Sequence, residues 1–202
     1  MKLPLIPQRI FEGHLLGVAD NDKTYFYNWN DLTRPLHILN MGAEKIWWDE
    51  SGEQMAIANE TKFLLHTFNK SNLSLSEVLV VEDKVTSGVF VNKIFYYINK
   101  AGKLHISFLG KSFFLANAEK KQFILGALEQ QNRLYLFDRN NSVYSHHIPF
   151  ELLNHIYSFI LGMAKSEPEI PEVFRDRVAK FYHAFEFRKE AYKLTENQDH
   201  KF

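Results

Sequence analysis

The sequence predicts a mainly β chain that turns α-helical toward its C-terminal end, and two observations carry that reading. Up to Ile148, apolar residues alternate in short runs separated by turn residues, and one hairpin pattern recurs at nearly constant spacing. From Pro149 onward, apolar residues recur at three- and four-residue spacing instead. The stretch Asn132 to Ile148 marks the change. Leu134 and Leu136 alternate with Tyr135 and Phe137, Asp138-Arg139-Asn140-Asn141 is turn chemistry, and Ser142 to Ile148 is the returning strand.

Taken in order, His14 to Ala19 and Thr24 to Trp29 are strands around the turn Asn21-Asp22-Lys23, which makes the first hairpin. Leu36 to Leu39 and Lys45 to Asp49 are short strands, the second closed by Glu50-Ser51-Gly52. Met55 to Ala58 and Phe63 to Phe68 form the second hairpin around Asn59-Glu60-Thr61. Asn69 to Ser76 is polar and is expected to be a loop, followed by the β-branched runs Val78 to Val81 and Val85 to Val91. Ile94 to Ile98 and Lys103 to Leu109 form the third hairpin around Asn99-Lys100-Ala101-Gly102. Ser112 to Ala116 and Gln122 to Leu128 lead to the fourth, which begins at Leu134.

These hairpins start near residues 15, 55, 94 and 134, so the steps are 40, 39 and 40. A period of about 40 residues with roughly four strands in each is the signature of a WD-type β-propeller blade. Val18-Ala19-Asp20 and Ile57-Ala58-Asn59 also hold matching places before their turns. A β-sandwich with coincidental spacing is the competing reading. The expected architecture is therefore a partial WD-type propeller of about three to four blades over residues 1–148, running into short α-solenoid helices over residues 149–202. Such an arc falls short of the usual closed ring, so sequence is expected to be missing on its N-terminal side. Its open blade faces predict that the isolated chain self-associates or is poorly soluble.

In the helical part, Phe150, Leu153, Ile156, Tyr157 and Ile160 share one face, with Pro149 tolerated in the first turn. Ile170-Pro171 opens a second helix with Phe174, Val178, Phe181 and Phe185 on its apolar side, and Arg188 to Leu194 is a third short segment.

Composition excludes several function classes. Lys plus Arg and Asp plus Glu are 24 each, giving a formal net charge of +0 and no broad basic field for nucleic acid. There is no cysteine, so disulfide frameworks and thiolate metal sites are out, and a reducing compartment fits. Met1 to Arg9 has too short an apolar run for a signal peptide and contains Pro4 and Pro7. The longest apolar segment, Phe150 to Ala164, carries Glu151, Asn154 and His155 and is too short to span a bilayer, so any membrane association is expected to be peripheral. The sequons at Asn59, Asn69, Asn72 and Asn140 read as Asn-rich loops.

No catalytic, cofactor-binding or metal-binding residue emerges, and no cofactor is expected. Gly110-Lys111-Ser112 has the end of a phosphate-binding loop, but His105 stands where the first glycine belongs and strands flank it on both sides, so a hairpin turn is expected. His146 and His147 are neighbours on a strand and point to opposite faces. His37, His66 and His105 sit singly in strands. Asp49, Glu50, Glu53, Glu82 and Asp83 are turn carboxylates with nothing pairing them across a cleft, and Ser51-Gly52 and Ser87-Gly88 lack the nucleophile-elbow pattern.

A family resemblance lies in the order of several motifs. Phe11-Glu12-Gly13-His14-Leu15-Leu16-Gly17-Val18, Tyr25-Phe26-Tyr27-Asn28-Trp29, Ile46-Trp47-Trp48-Asp49-Glu50-Ser51-Gly52-Glu53 and Asn132-Arg133-Leu134-Tyr135-Leu136 resemble the coatomer WD-associated region. The tail, Ile170-Pro171, Arg175-x-Arg177-Val178-Ala179-x-Phe181 and Asp199-His200-Lys201-Phe202, is similar to the segment after the second propeller of coatomer beta-prime subunits. It departs where Glu186 precedes Phe187 in place of the family's glycine. The resemblance runs along nearly the whole chain.

The resemblance implies a structural subunit or fragment of the COPI vesicle coat, without catalysis. Its implied place is the cytoplasm and, peripherally, Golgi membranes and COPI-coated vesicles. Its implied role is protein–protein scaffolding in Golgi-to-ER retrograde and intra-Golgi transport. The implied partners are other coatomer subunits, especially alpha, with no nucleic acid and no small-molecule substrate. Residues 1–148 would be the later part of the second propeller and residues 149–202 the start of the solenoid. The cargo-reading first propeller of the family is absent, so no cargo-binding residue is carried over. The alternatives are another propeller-plus-solenoid scaffold, of the coatomer alpha or intraflagellar transport type, and a propeller-fold enzyme.

Overall fold

The computed structural model describes residues 6–148, apart from 92, 109, 119, 120, 129 and 130. Among them the chain forms four antiparallel sheets and no α-helix, the arrangement of a partial WD-type propeller. The helices read from Pro149 onward lie outside the described residues. The first sheet holds β1 (Arg9–Phe11), β2 (Leu16–Ala19), β3 (Thr24–Tyr27) and β4 (His37–Leu39). The second holds β5 (Lys45–Trp48), β6 (Gln54–Ala58), β7 (Phe63–Asn69) and β8 (Ser74–Val81). The third holds β9 (Val85–Val91), β10 (Ile94–Asn99), β11 (Lys103–Phe108) and β12 (Lys111–Asn117). The fourth holds β13 (Phe123–Leu128), β14 (Arg133–Phe137) and β15 (Val143–His147).

Each sheet is a meander whose neighbours in space are neighbours in sequence, as short turns between antiparallel strands dictate. The leading strands lie side by side, β5 against β9 and β9 against β13. A hydrogen bond from the Ile124 N–H to Ser87 Oγ, 3.0 Å long, ties β9 to β13. At the first step between sheets, the buried Thr24 hydroxyl donates to the Met41 carbonyl (2.7 Å) and accepts the Ala43 N–H (2.9 Å). It thereby fixes the connection from β4 to β5.

Packing between sheets explains the apolar content of the central strands. A sheet with neighbours on both faces must be apolar on both, so its strands read as continuous hydrophobic runs. In β6, Met55 and Ile57 belong to the core shared with Leu15, Phe26 and Met41, whereas Ala56 and Ala58 belong to the core shared with Val85, Phe90 and Phe95. β7 divides in the same way, with Leu64 and Phe68 in the first core and Phe63 and Leu65 in the second. The second core is aromatic: the Phe95 ring meets Trp47 at 5.5 Å, Phe63 at 5.8 Å and Phe90 at 4.9 Å. These are the separations at which tilted aromatic pairs attract. Gly88 makes room for this cluster, because a Cβ there would stand 2.5 Å from Phe95 Cζ.

The hairpin repeat holds. Its first strands β2, β6, β10 and β14 start at residues 16, 54, 94 and 133, in steps of 38, 40 and 39. Two readings of the sequence need correction. Asn69 to Ser76 is not a loop throughout, because β7 runs through Asn69 and β8 begins at Ser74. β8 is the last strand of its sheet and largely solvent-facing, so its first half is free to be polar. β1, with Arg9 and Ile10 exposed, carries too little apolar pattern to have been read as a strand.

Candidate functional site

The described residues hold no catalytic constellation; the chemistry of this chain lies in loops at the sheet joints. Every hairpin of the repeat carries an Asp or Asn at its first turn position: Asp20, Asn59, Asn99 and Asp138, spaced 39, 40 and 39 apart. Each uses its side-chain oxygen to hold the turn, as Asp and Asn do in Asx turns. Asp20 Oδ1 accepts the N–H groups of Asp22 and Lys23 at 2.9 and 2.7 Å. Asn59 Oδ1 accepts those of Thr61 and Lys62 at 2.9 and 2.8 Å. Asn99 Oδ1 accepts Lys103 N–H at 2.8 Å, and Asp138 Oδ1 accepts Asn140 and Ser142 N–H at 2.8 and 3.0 Å.

The later two hairpins are one residue longer and reach four residues on. Both place a left-handed residue three positions after the Asx, Gly102 (φ 76°) and Asn141 (φ 61°), the residue types that tolerate that region. Asp138 also accepts the Tyr144 hydroxyl at 2.9 Å. Bonding to the Ser142 N–H above all, then to Tyr144 and Asn140, holds its carboxyl below the usual range.

The hairpins meet the connections between sheets, and the charges there differ from joint to joint. Between the second and third sheets, Glu60 pairs with Lys84 at 2.8 Å. Lys84 immediately precedes β9, and its carbonyl accepts the Lys100 N–H at 2.9 Å. Beside it, Asn99 Nδ2 donates to Asp83 at 2.6 Å. Between the third and fourth sheets, the corresponding positions carry Lys100 on the hairpin and Lys121-Gln122 before β13. Here a cleft of about 440 Å³ opens, lined by Thr86, Ile98, Asn99, Lys100, Gly102, Lys121, Gln122, Phe123 and Arg139. Its rim is cationic at Lys100, Lys121 and Arg139, all exposed, and its floor includes the buried Asn99 and Gln122.

The other sequence candidates lie in turns or on strands. Gly110-Lys111-Ser112 is the β11–β12 turn, with Gly110 at φ 73° and Phe108 opposite Lys111. His146 and His147 face Leu134 and Arg133, successive positions of β14, and so lie on opposite faces of the sheet. No group of three potential ligands that could hold a metal occurs among the described residues. His105 stacks on Tyr97 at 5.0 Å and meets Phe114 edge-on at 5.8 Å. His66 is buried with Nδ1 lacking a partner. Burial, and secondarily the nearby His37, pushes its pKa down to about 4, which keeps the ring neutral. Asp49 organises the turn before β6 by accepting the Glu53 and Gln54 N–H groups at 2.9 and 2.8 Å.

Comparison with known proteins agrees with this picture. The family model of the COPA/B second beta-propeller matches residues 1–138. Coatomer subunit beta'-1 of Oryza sativa subsp. japonica is 25% identical over an alignment covering 96% of this chain and 24% of that protein. Coatomer subunit beta' of Homo sapiens is 26% identical with the same coverages. The chain thus spans about a quarter of the length of these relatives. Among solved structures, the computationally designed Ika4 protein superposes with a TM-score of 0.53 at 8% identity, over 73% of this chain and 96% of that one. Sqt1 of Saccharomyces cerevisiae superposes with a TM-score of 0.50 at 19% identity, over 67% and 42%. Those two likenesses speak to the fold alone.

Proposed function

Since the chain belongs to the COPA/B second beta-propeller family, we propose that it is a structural subunit, or a piece of one, of the COPI vesicle coat. The observation that carries this reading is the family match over residues 1–138, extended by alignment to coatomer beta' subunits along 96% of the chain. The polar side chains described at the loops and sheet joints hold turns and joints, which suits a rigid scaffold. On this reading the chain works through protein–protein contacts with other coatomer subunits, the alpha subunit first among them. It reaches Golgi membranes and COPI-coated vesicles indirectly, through the coat, and serves Golgi-to-ER and intra-Golgi transport. Residues 1–148 act as the propeller part, and residues 149–202 begin a helical solenoid, with Pro149 at the junction.

The test is localisation. A fluorescently tagged chain expressed in cells is expected to concentrate on Golgi membranes together with the coat, and to disperse when the recruiting small GTPase is held inactive. A uniformly cytosolic signal in cells whose coat is on the Golgi would contradict the proposal.

A further inference from the structure

The joint between the third and fourth sheets carries the charge imbalance that the preceding joint neutralises. At the second joint a hairpin carboxylate, Glu60, meets the lysine before the next sheet, Lys84, at 2.8 Å. At the third joint the hairpin residue one position after the Asx is Lys100, and the opposing connection supplies Lys121. Arg139, the residue after Asp138 on the next hairpin, adds a third cation to the same cleft. No carboxylate lines this cleft among the described residues. Among the described residues, carboxylates in the adjoining loops already have partners: Asp83 meets Asn99 Nδ2, Asp138 serves its own turn and Tyr144, and Glu60 pairs with Lys84. Glu60, paired with Lys84, also acts on Lys100 across the two hairpins, yet it does not line the cleft; three cations at one opening repel, and a bound anion relieves that repulsion.

We propose that this cleft is a docking site for an acidic stretch of a partner polypeptide, with neighbouring carboxylates engaging Lys100, Lys121 and Arg139. A carboxylate suits the site because the fold uses one, Glu60, to satisfy the corresponding cation at the previous joint. The neutral groups below the rim are already engaged: the Thr86 hydroxyl donates to the Ile98 carbonyl at 2.9 Å, and Asn99 spends both ends of its amide on Asp83 and Lys103. With the Thr86 and Asn99 side chains so engaged, recognition falls to the three cations on the rim. Phe123 and Ile98 give the cleft an apolar wall, which suits a peptide carrying an apolar residue between its acids. At about 440 Å³ the cleft is larger than a simple oxyanion needs. The inference stands apart from the coat reading, because it concerns binding to the chain alone.

The experiment is fluorescence polarisation of a labelled Glu-Glu-Phe-Glu peptide titrated with the full chain, with a Lys-Lys-Phe-Lys peptide as the charge-reversed probe and inorganic phosphate as competitor. The acidic peptide is expected to bind saturably, more weakly as salt rises, and the basic one not at all. Lys100→Glu and Arg139→Glu should each weaken binding by about tenfold or more, the usual effect of reversing a charge at a complementary interface. Lys100→Gln should weaken it less, and all three variants should keep the thermal midpoint of the parent. Lys23→Glu makes the same charge change on the first hairpin, at a residue that does not line the cleft, and should leave affinity within about twofold, since exposed charges out of contact are largely screened by salt. Equal loss from Lys23→Glu would overturn the proposal in favour of non-specific attraction. So would unchanged affinity in the Lys100 and Arg139 variants, or displacement of the peptide by an equal concentration of inorganic phosphate.

Discussion

Asn59 and Asp138 occupy equivalent positions in the second and fourth sheets, and each accepts the backbone N–H two residues on, at 2.9 and 2.8 Å. The same contact recurs at Asp20, whereas Asn99 holds its turn through the Lys103 N–H four residues on. Asn59→Ala should lower stability by about 1 kcal/mol, the cost of losing a side-chain cap on backbone donors. Asn59→Asp should keep it. Urea denaturation of the two variants side by side checks this, and equal loss in both would show that the side-chain oxygen is not what matters.

Gly88 and Phe95 share one space. A methyl group at 88 would press on the fully buried Phe95 ring, so Gly88→Ala should destabilise the chain. Phe95→Leu should cost stability by itself, because the ring packs against Trp47, Phe63 and Phe90. Combined, the two substitutions should cost less than their sum, because the smaller side chain admits the added Cβ. A double-mutant cycle measures this coupling, and simple additivity would show that the two residues do not compete for volume.

His66 predicts an acid-sensitive core. Its folded pKa of about 4 lies below the ordinary value of 6.5, so the unfolded chain binds the proton more readily than the folded one. The neutral ring's contribution is fully present above about pH 6.5 and is lost as pH falls through about 4. A shift of this size corresponds to about 3 kcal/mol at most. Denaturation midpoints at neutral and acidic pH should therefore converge in His66→Leu more than in the parent chain. The Nδ1 atom has no hydrogen-bond partner to lose in this substitution.

The β architecture was legible because hairpins with Asx turns repeat at nearly fixed spacing, and a period survives small errors at strand ends. Asp20, Asn59, Asn99 and Asp138 were all visible in the sequence at their turns, but that the later two turns close one residue later shows only in the structure. β1 and the start of β8 were illegible for a different reason: β1 is mostly exposed, and Leu75, packed on the first core, stands alone among the polar residues that open β8. The cationic cleft could not be read at all. Lys100, Lys121 and Arg139 lie in three separate connections, and only the side-by-side packing of the third and fourth sheets brings them to one opening.

The coat assignment is tested most directly by what the chain brings with it. An affinity-tagged chain recovered from cells expressing the whole coat, and analysed by quantitative mass spectrometry, should be enriched in coatomer subunits, with alpha foremost. Recovery of the chain without any coatomer subunit above the level of an unrelated tagged propeller would contradict the account.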